Sequence, residues 1–352
     1  MLKKWRAKSL LGVVAVTTAF SVTALVGAPA FAAEPGESSS WSAEYGDGRQ
    51  VTSNVGVSEA RDPSGNHALV SINGNDQVQV TYNGGALAVW PNSSSYATPR
   101  IIWTAYGWRV FHTGRDQHIY YAGFTVGSTG NLSLGNWQQV PGNVTSSEYS
   151  PPAVTNLNTN SGEEWMLSWR GLDNNIYAQY HQRTASMAFP GNFNTPQRVS
   201  NATSNLGPAI AYTSLSTPWA RNGCIYVAWT GRNGQVYSAW QAYGSSTWSQ
   251  ATLVGGNHSP EFVSPPAMAF NPNGQGQVVV RDNSGHVQIS YADVAADFAP
   301  GMSTNVWHQE STSWVTYGDP WVTIVGYAVY MILSATNNYP WNPVYYKQSG
   351  SY

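Results

Sequence analysis

Apolar and polar positions along this 352-residue chain alternate in short runs, and the runs recur. "SWRGLDNNIYAQY" (168–180) reads as an apolar strand, a short polar turn and a second strand. Nearly the same phrase returns as "FHTGRDQHIYYAGF" (111–124), "AWTGRNGQVYSAW" (228–240) and, more loosely, "VVRDNSGHVQISY" (279–291). Linking phrases follow the hairpins: "VPGNVTSSEYSPPAV" (140–154), "VSNATSNLGPAIAY" (199–212) and "VGGNHSPEFVSPPAMAF" (254–270). Aligning them gives a proline column, Pro99, Pro152, Pro208, Pro266 and Pro320, with steps of 53, 56, 58 and 54 residues. A hairpin column follows, Val78, Ile119, Ile176, Val236, Val287 and Val344. The chain therefore reads as one unit used six times, the first shorter and the last less regular.

Each unit holds about four strand-sized segments, such as "PAVTNL", "EEWMLSWRG", "NNIYAQYHQ" and "PQRVS". Proline at the start of the first strand sits where a missing N–H does least harm to a ladder. The turns "GRDQ", "GLDN" and "GRNGQ" carry the Gly, Asp and Asn that tight reversals need. Trp165, Leu167 and Trp169 share one parity and Met166 the other, so such a sheet is covered on both faces. Four strands and roughly 50 residues per unit predict an all-β fold, a β-propeller of about six four-stranded blades. The last unit stops one strand short at "VYYKQ", and "WSAEYGDGRQVTSN" (41–54) is an unassigned strand. That N-terminal strand is expected to complete the last blade.

Composition agrees with this reading: 13% aromatic residues, 34 Gly, 20 Pro and only 10% charged residues leave little material for helices. "MLKKWRAK", the apolar "SLLGVVAVTTAFSVTALVG" and the small-x-small end at Ala30-Phe31-Ala32 read as a signal peptide over residues 1–32. Residues 33–352 are then expected to form a single secreted, extracellular domain. Without the leader's Lys3, Lys4, Arg6 and Lys8, 12 basic residues face 18 acidic ones, a net charge of −6. No basic stripe suits nucleic acid. No later run is long enough for a membrane span, and "WVTIVGYAVYMIL" (321–333) reads as a pair of buried strands. The single Cys224 lies in an apolar strand and cannot form an intrachain disulfide.

The candidate chemistry repeats with the fold. Trp169 and Trp229 share a column, with His112 at the same place in an earlier unit. Arg170 and Arg281 share another, while Arg115 and Arg232 lie in the turns. A sugar offers an apolar C–H face and a ring of hydroxyls, so its receptor wants an aromatic platform beside fixed donors and acceptors. These Trp, Arg and His residues are candidates, with packing between blades the plainer role for the rings and pairing with a turn Asp that for the arginines. The turn acids Asp116 and Asp173, with Asn233 and Ser284 in their column, most simply satisfy backbone N–H groups in the reversal.

The phrases "WRGLDNNIY", "WTGRNGQVY" and "TGRDQHIYYAGF", linked by "GNWQQVPG" and "SPPA", resemble the repeats of bacterial propeller lectins that bind fucose. Tachylectin-like and fungal six-bladed fucose lectins are more distantly similar. The resemblance implies several weak sugar sites between blades at the Trp169, Trp229 and His112 column with its arginines and turn acids. It implies glycans or polysaccharides as partners and no cofactor. The first, fifth and sixth units lack the Trp, so some sites are expected to be lost.

An enzyme reading needs a pair of placed carboxylates. Glu163 and Glu164 open one strand and point to opposite faces, and no sialidase Asp box, His-rich metal spacing or Gly-x-Ser-x-Gly is present. A glycoside hydrolase or a protein-binding scaffold remains the alternative to a lectin. Turns such as "NGND" (73–76) offer oxygens but no recognised calcium-loop spacing.

Overall fold

A computed structural model describes residues 41–44, 56–85, 87–157, 162–187, 190–216, 220, 222–256, 261–271, 274–293, 307–309, 316, 318–325, 328–334 and 343–348. The expected leader, residues 1–32, lies outside them. The described elements are all strands. No described helix is long and apolar enough to cross a membrane.

The strands pair into separate antiparallel sheets of four or five, here lettered in chain order. Sheet A runs from Ser58 to Val89, B from Arg100 to Gln139, C from Ala153 to Thr203, D from Ala209 to Leu253 and E from Ala267 to Gln309. Sheet F holds Trp321–Val325, Ala328–Ser334 and Pro343–Gln348, and Trp41–Glu44 pairs with the last of these, Trp41 opposite Gln348. The first strand of each sheet lies beside the first strand of the next, and that of F lies beside that of A. This is the β-propeller arrangement. The apolar run at 321–333 forms two paired strands, as its length required.

The second strand of sheets C and D is buried on both faces: Cys224–Thr230 throughout, and Glu163–Arg170 up to its last residue. Stacking explains this, because each sheet is covered by a neighbour on either side. Trp165, Leu167 and Trp169 join Phe111, Val140 and Val144 in a core between sheets B and C. Met166, from the other parity, joins Ile225, Val227 and Trp229 in the core between C and D. Val57, Leu69 and Trp321 pack together between A and F. Cys224, the single cysteine, is buried.

One turn closes five of the hairpins. In sheet C the Gly171 N–H donates to Asn175 O at 2.8 Å and the Asn174 N–H to Gly171 O at 2.9 Å. The residue in Asn174's place has a positive φ each time: Asp76, Gln117, Asn174, Gly234 and Gly285 at 59°, 68°, 64°, 69° and 87°. This is a three-residue hairpin loop ending in the left-handed region, which favours Gly and Asn. In sheet A, Asn73 Oδ1 accepts the N–H groups of Asn75 and Gln77, so the first residue of "NGND" spends its side-chain oxygen on its own turn. No cluster of metal-ligating side chains occurs among the described residues.

Candidate functional site

The repeated phrase builds a small side-chain unit at each turn. In sheet C, Trp169 lies directly across from Tyr177, and their rings stack at 5.8 Å and 22°. The Tyr177 hydroxyl donates to Asp173 Oδ2 at 2.8 Å, and Asn175 Nδ2 donates to the same oxygen at 2.5 Å. The other oxygen accepts the Asn175 N–H at 3.1 Å, the turn role expected of that column. Gly171 is required here, because a Cβ would stand 2.7 Å from Asp173 Oδ1 and 2.8 Å from the Tyr177 ring.

Sheet B repeats the unit with His112 stacked on Tyr120 at 5.6 Å and the Tyr120 hydroxyl on Asp116 at 2.5 Å. Sheet D repeats it with Trp229 on Tyr237 at 6.1 Å, and Asn233 Nδ2 donates to the Tyr237 hydroxyl at 2.9 Å. In sheet E the backbone N–H of Ser284 donates to Asp282 Oδ1 instead, so its turn has a different holder. The tyrosines are the members that reading by column missed. Their signal is present in the sequence as Gly-x-(Asp/Asn)-x-x-x-Tyr, four residues from acid or amide to ring.

In sheet C this unit lines a cleft of about 330 Å³. Its other wall is the loop Gly142–Thr145 leaving sheet B, with Pro196 at the side. Gly142 and Asn143 take φ values of 97° and 54°, a left-handed bend that turns this loop's backbone along the cleft. Burial pushes the Asp173 carboxyl up, but the hydrogen bonds from Tyr177 and Asn175 outweigh it and hold the group below the usual carboxylate range. The same bond pushes the Tyr177 hydroxyl up, so Tyr177 stays a donor. An ionised carboxylate lining a cleft, beside an aromatic wall, suits hydroxyl groups and an apolar ring face.

The other candidates are arranged differently from the sequence expectation. Trp169, Trp229 and His112 are each only 3% exposed, so these rings are chiefly core between sheets rather than open platforms. Arg170 follows Trp169 but faces the other neighbour. Its Nη1 donates to Asn205 O at 2.7 Å and to Asn174 Oδ1 at 3.1 Å, on the sheet D side. Successive residues of a strand point to opposite faces, so a Trp and the Arg next to it cannot share one sugar. Arg281 takes the equivalent place and lies near Asp319. Arg115 pairs with Asp76 and stacks over Tyr96, and Arg232 is exposed. The structure thus joins Trp169 and Asp173 in one cleft and leaves the four arginines outside it.

His112 carries a measurable consequence. Burial pushes its imidazole down to about 4, against smaller upward effects from the Thr113 backbone and Asp116. The folded state therefore keeps it neutral while an unfolded chain protonates it near 6.5. Between those values the unfolded state binds more protons, so stability is full above about pH 6.5 and falls as the pH drops, by at most about 1.4 kcal/mol per unit from this group. His112 Nδ1 has no hydrogen-bond partner among the described residues, so His112→Phe sacrifices no bond at that atom. Urea midpoints at pH 7 and pH 5 should show a smaller difference for this variant than for the parent; an equal difference would contradict the assignment.

The adjacent acids Glu163 and Glu164 point apart, as their strand requires. Glu163 binds Arg109 of sheet B through both oxygens, at 2.8 and 2.7 Å. Glu164 accepts Gln182 Nε2 at 2.8 Å and the Tyr243 hydroxyl of sheet D at 2.5 Å. They are ties to the two neighbouring sheets. A second cavity, of about 410 Å³, is lined by the first strands of every sheet, with Glu59, Trp103, Asn156, Tyr212, Phe270 and Trp321 on its wall.

Fold and site together define a β-propeller with a polar and aromatic cleft between adjacent blades. Solved structures with this fold include an Aleuria aurantia lectin variant in complex with Fucα1-6GlcNAc, at a TM-score of 0.53 and 9% identity, covering 84% of this chain and 97% of that one. The BP39L lectin from Burkholderia pseudomallei matches at a TM-score of 0.51 and 13% identity, covering 86% and 98%. A variant of the α-L-arabinofuranosidase arb93a from Fusarium graminearum, bound to an iminosugar inhibitor, matches at 0.52 and 11%, covering 86% and 94%. At such identities the likeness is one of fold. No family model and no curated protein matches the sequence.

Proposed function

We propose that this protein is a secreted, carbohydrate-binding propeller lectin that takes a neutral, fucose-like sugar in the cleft between sheets B and C. The observation that carries the reading is the Trp169–Tyr177–Asp173 unit opening on a cleft of about 330 Å³, in a fold shared with sugar-binding lectins. In this reading the sheets form a six-bladed ring that the N-terminal strand completes, and the pairing of Trp41–Glu44 with Pro343–Gln348 supports it. Asp173 accepts sugar hydroxyls, the Tyr177 ring, backed by the buried Trp169, takes the C–H face, and the Gly142–Thr145 backbone closes the opposite side. Equivalent units at His112 and Trp229 are weaker partners, consistent with several low-affinity sites acting together.

Asp173→Asn is the sharper test, because sheet D already carries Asn233 in this turn. The fold should survive while the ionised acceptor is lost. Hydrogen bonds to a charged group contribute about 1.5–3 kcal/mol, so binding of a neutral methyl glycoside should weaken roughly ten- to a hundredfold. A parent that binds no glycan on a broad array would overturn the proposal.

Glycoside hydrolysis is the second reading, favoured by the arabinofuranosidase-like fold. It needs two free carboxylates. Of the acids beside the larger cavity, Glu59 bonds Arg61 Nε at 2.8 Å, and Asp62 Oδ1 accepts the Ser64 and Asn66 N–H groups. Both are engaged in local structure, which favours binding over catalysis.

A further inference from the structure

Outside the cleft, the most conspicuous surface feature is Tyr149, a large side chain left 68% exposed. It stands three residues before Pro152, in the linker into sheet C, and Tyr96 stands at the same distance before Pro99 in the linker into sheet B. The two rings stack at 5.4 Å and 14°. The Arg115 guanidinium lies over the Tyr96 ring at 4.2 Å and is itself held by Asp76 of the preceding hairpin. The Arg115 N–H donates to Ser94 O at 3.2 Å, tying that turn to the linker. Tyr149 is thus a stacked ring with solvent-facing area, supported from behind by Tyr96, Arg115 and Asp76.

An exposed ring held in one orientation has already lost the freedom that binding would otherwise take away. Its charge surroundings select the ligand. Asp76 balances the charge of Arg115, and the Glu148 carboxylate adjoins the Tyr149 hydroxyl. Nothing in this set offers an unbalanced positive charge, so a uronate or sialate finds no partner, whereas hydroxyls find carboxylate acceptors. We propose that Tyr149, stacked on Tyr96, is a second carbohydrate platform that takes the apolar face of a neutral pyranose. This rests on the lectin reading, and it adds a site that repeat alignment on the Trp column does not contain. Glu148 accepts a hydroxyl at the ring edge, while Arg115 acts through Tyr96 as a positioning residue.

The test is saturation-transfer NMR and titration with methyl α-L-fucoside, methyl β-D-galactoside and methyl β-D-glucuronide. It compares the full parent chain with Tyr149→Ala, Tyr149→Phe, Asp173→Asn and the Tyr149→Ala/Asp173→Asn double variant. Melting temperatures check that each remains folded. The proposal expects a neutral glycoside signal that survives in Asp173→Asn, is retained by Tyr149→Phe and is weaker in the double variant than in Asp173→Asn alone. The affinity of the residual site should fall about two- to tenfold on removing the ring. Binding unaffected by Tyr149→Ala in either background overturns the platform and leaves the cleft reading intact. Glucuronide binding as strong as that of the neutral glycosides overturns the charge argument. A folded parent that binds none of them overturns the lectin reading, and the platform with it.

Discussion

Glu163→Ala is expected to lower folding stability by about 3–5 kcal/mol, the usual cost of removing one partner from a buried ion pair. Glu163 is 1% exposed and meets Arg109 at 2.8 and 2.7 Å. It also accepts Trp165 Nε1 at 3.1 Å and faces Arg183 at 3.8 Å. Deleting it leaves Arg109, only 8% exposed, as a buried cation without its carboxylate. The loss exceeds that of an exposed pair, which contributes at most about 1 kcal/mol. Replacing both partners by apolar residues, Arg109→Met with Glu163→Leu, should recover much of the loss, since the lone charge is then gone. Urea midpoints of the two variants beside the parent decide this. A Glu163→Ala protein within about 0.5 kcal/mol of the parent would show that the pair is not a buried tie between sheets.

Trp165→Ala should cost a similar amount, about 3–5 kcal/mol, for a different reason. The indole is fully buried, at 0% exposure, and fills the space between sheets B and C. It meets Phe111 at 5.0 Å, Phe193 at 5.5 Å and Tyr121 at 5.9 Å, and stacks on His181 at 4.1 Å. Truncation removes those contacts and leaves a cavity that a rigid stack of sheets cannot close. It also removes the donor to Glu163, so the Trp165 and Glu163 losses should not add. Thermal and urea unfolding of the single and double variants read this directly. The same reasoning disqualifies Trp169→Ala as a binding probe: at 3% exposure, its loss reports first on the core.

Much of the architecture was legible because period-two patterning and turn chemistry are local. The hairpin at 168–180 and the proline before five of the first strands could be read from a dozen residues at a time. The opposite faces of Glu163 and Glu164 followed from the same period. That period also separates Trp169 from Arg170, which the search for an aromatic beside an arginine overlooked. Burial of Trp169 was not legible, since what covers it, Val140 and Val144, belongs to the neighbouring unit. Likewise Arg109 and Glu163 are 54 residues apart, and only the stacking of sheets brings them together. Tyr177 was legible but unread: its hydroxyl sets the state of Asp173, and the four-residue spacing recurs in three units.

The most direct test of the account is a crystal structure of the full chain soaked with methyl α-L-fucoside. The account predicts sugar density between Gly142–Thr145 and the Trp169–Tyr177 hairpin, with a hydroxyl within hydrogen-bonding distance of Asp173. Density only in the larger cavity, beside Glu59 and Trp321, would contradict it.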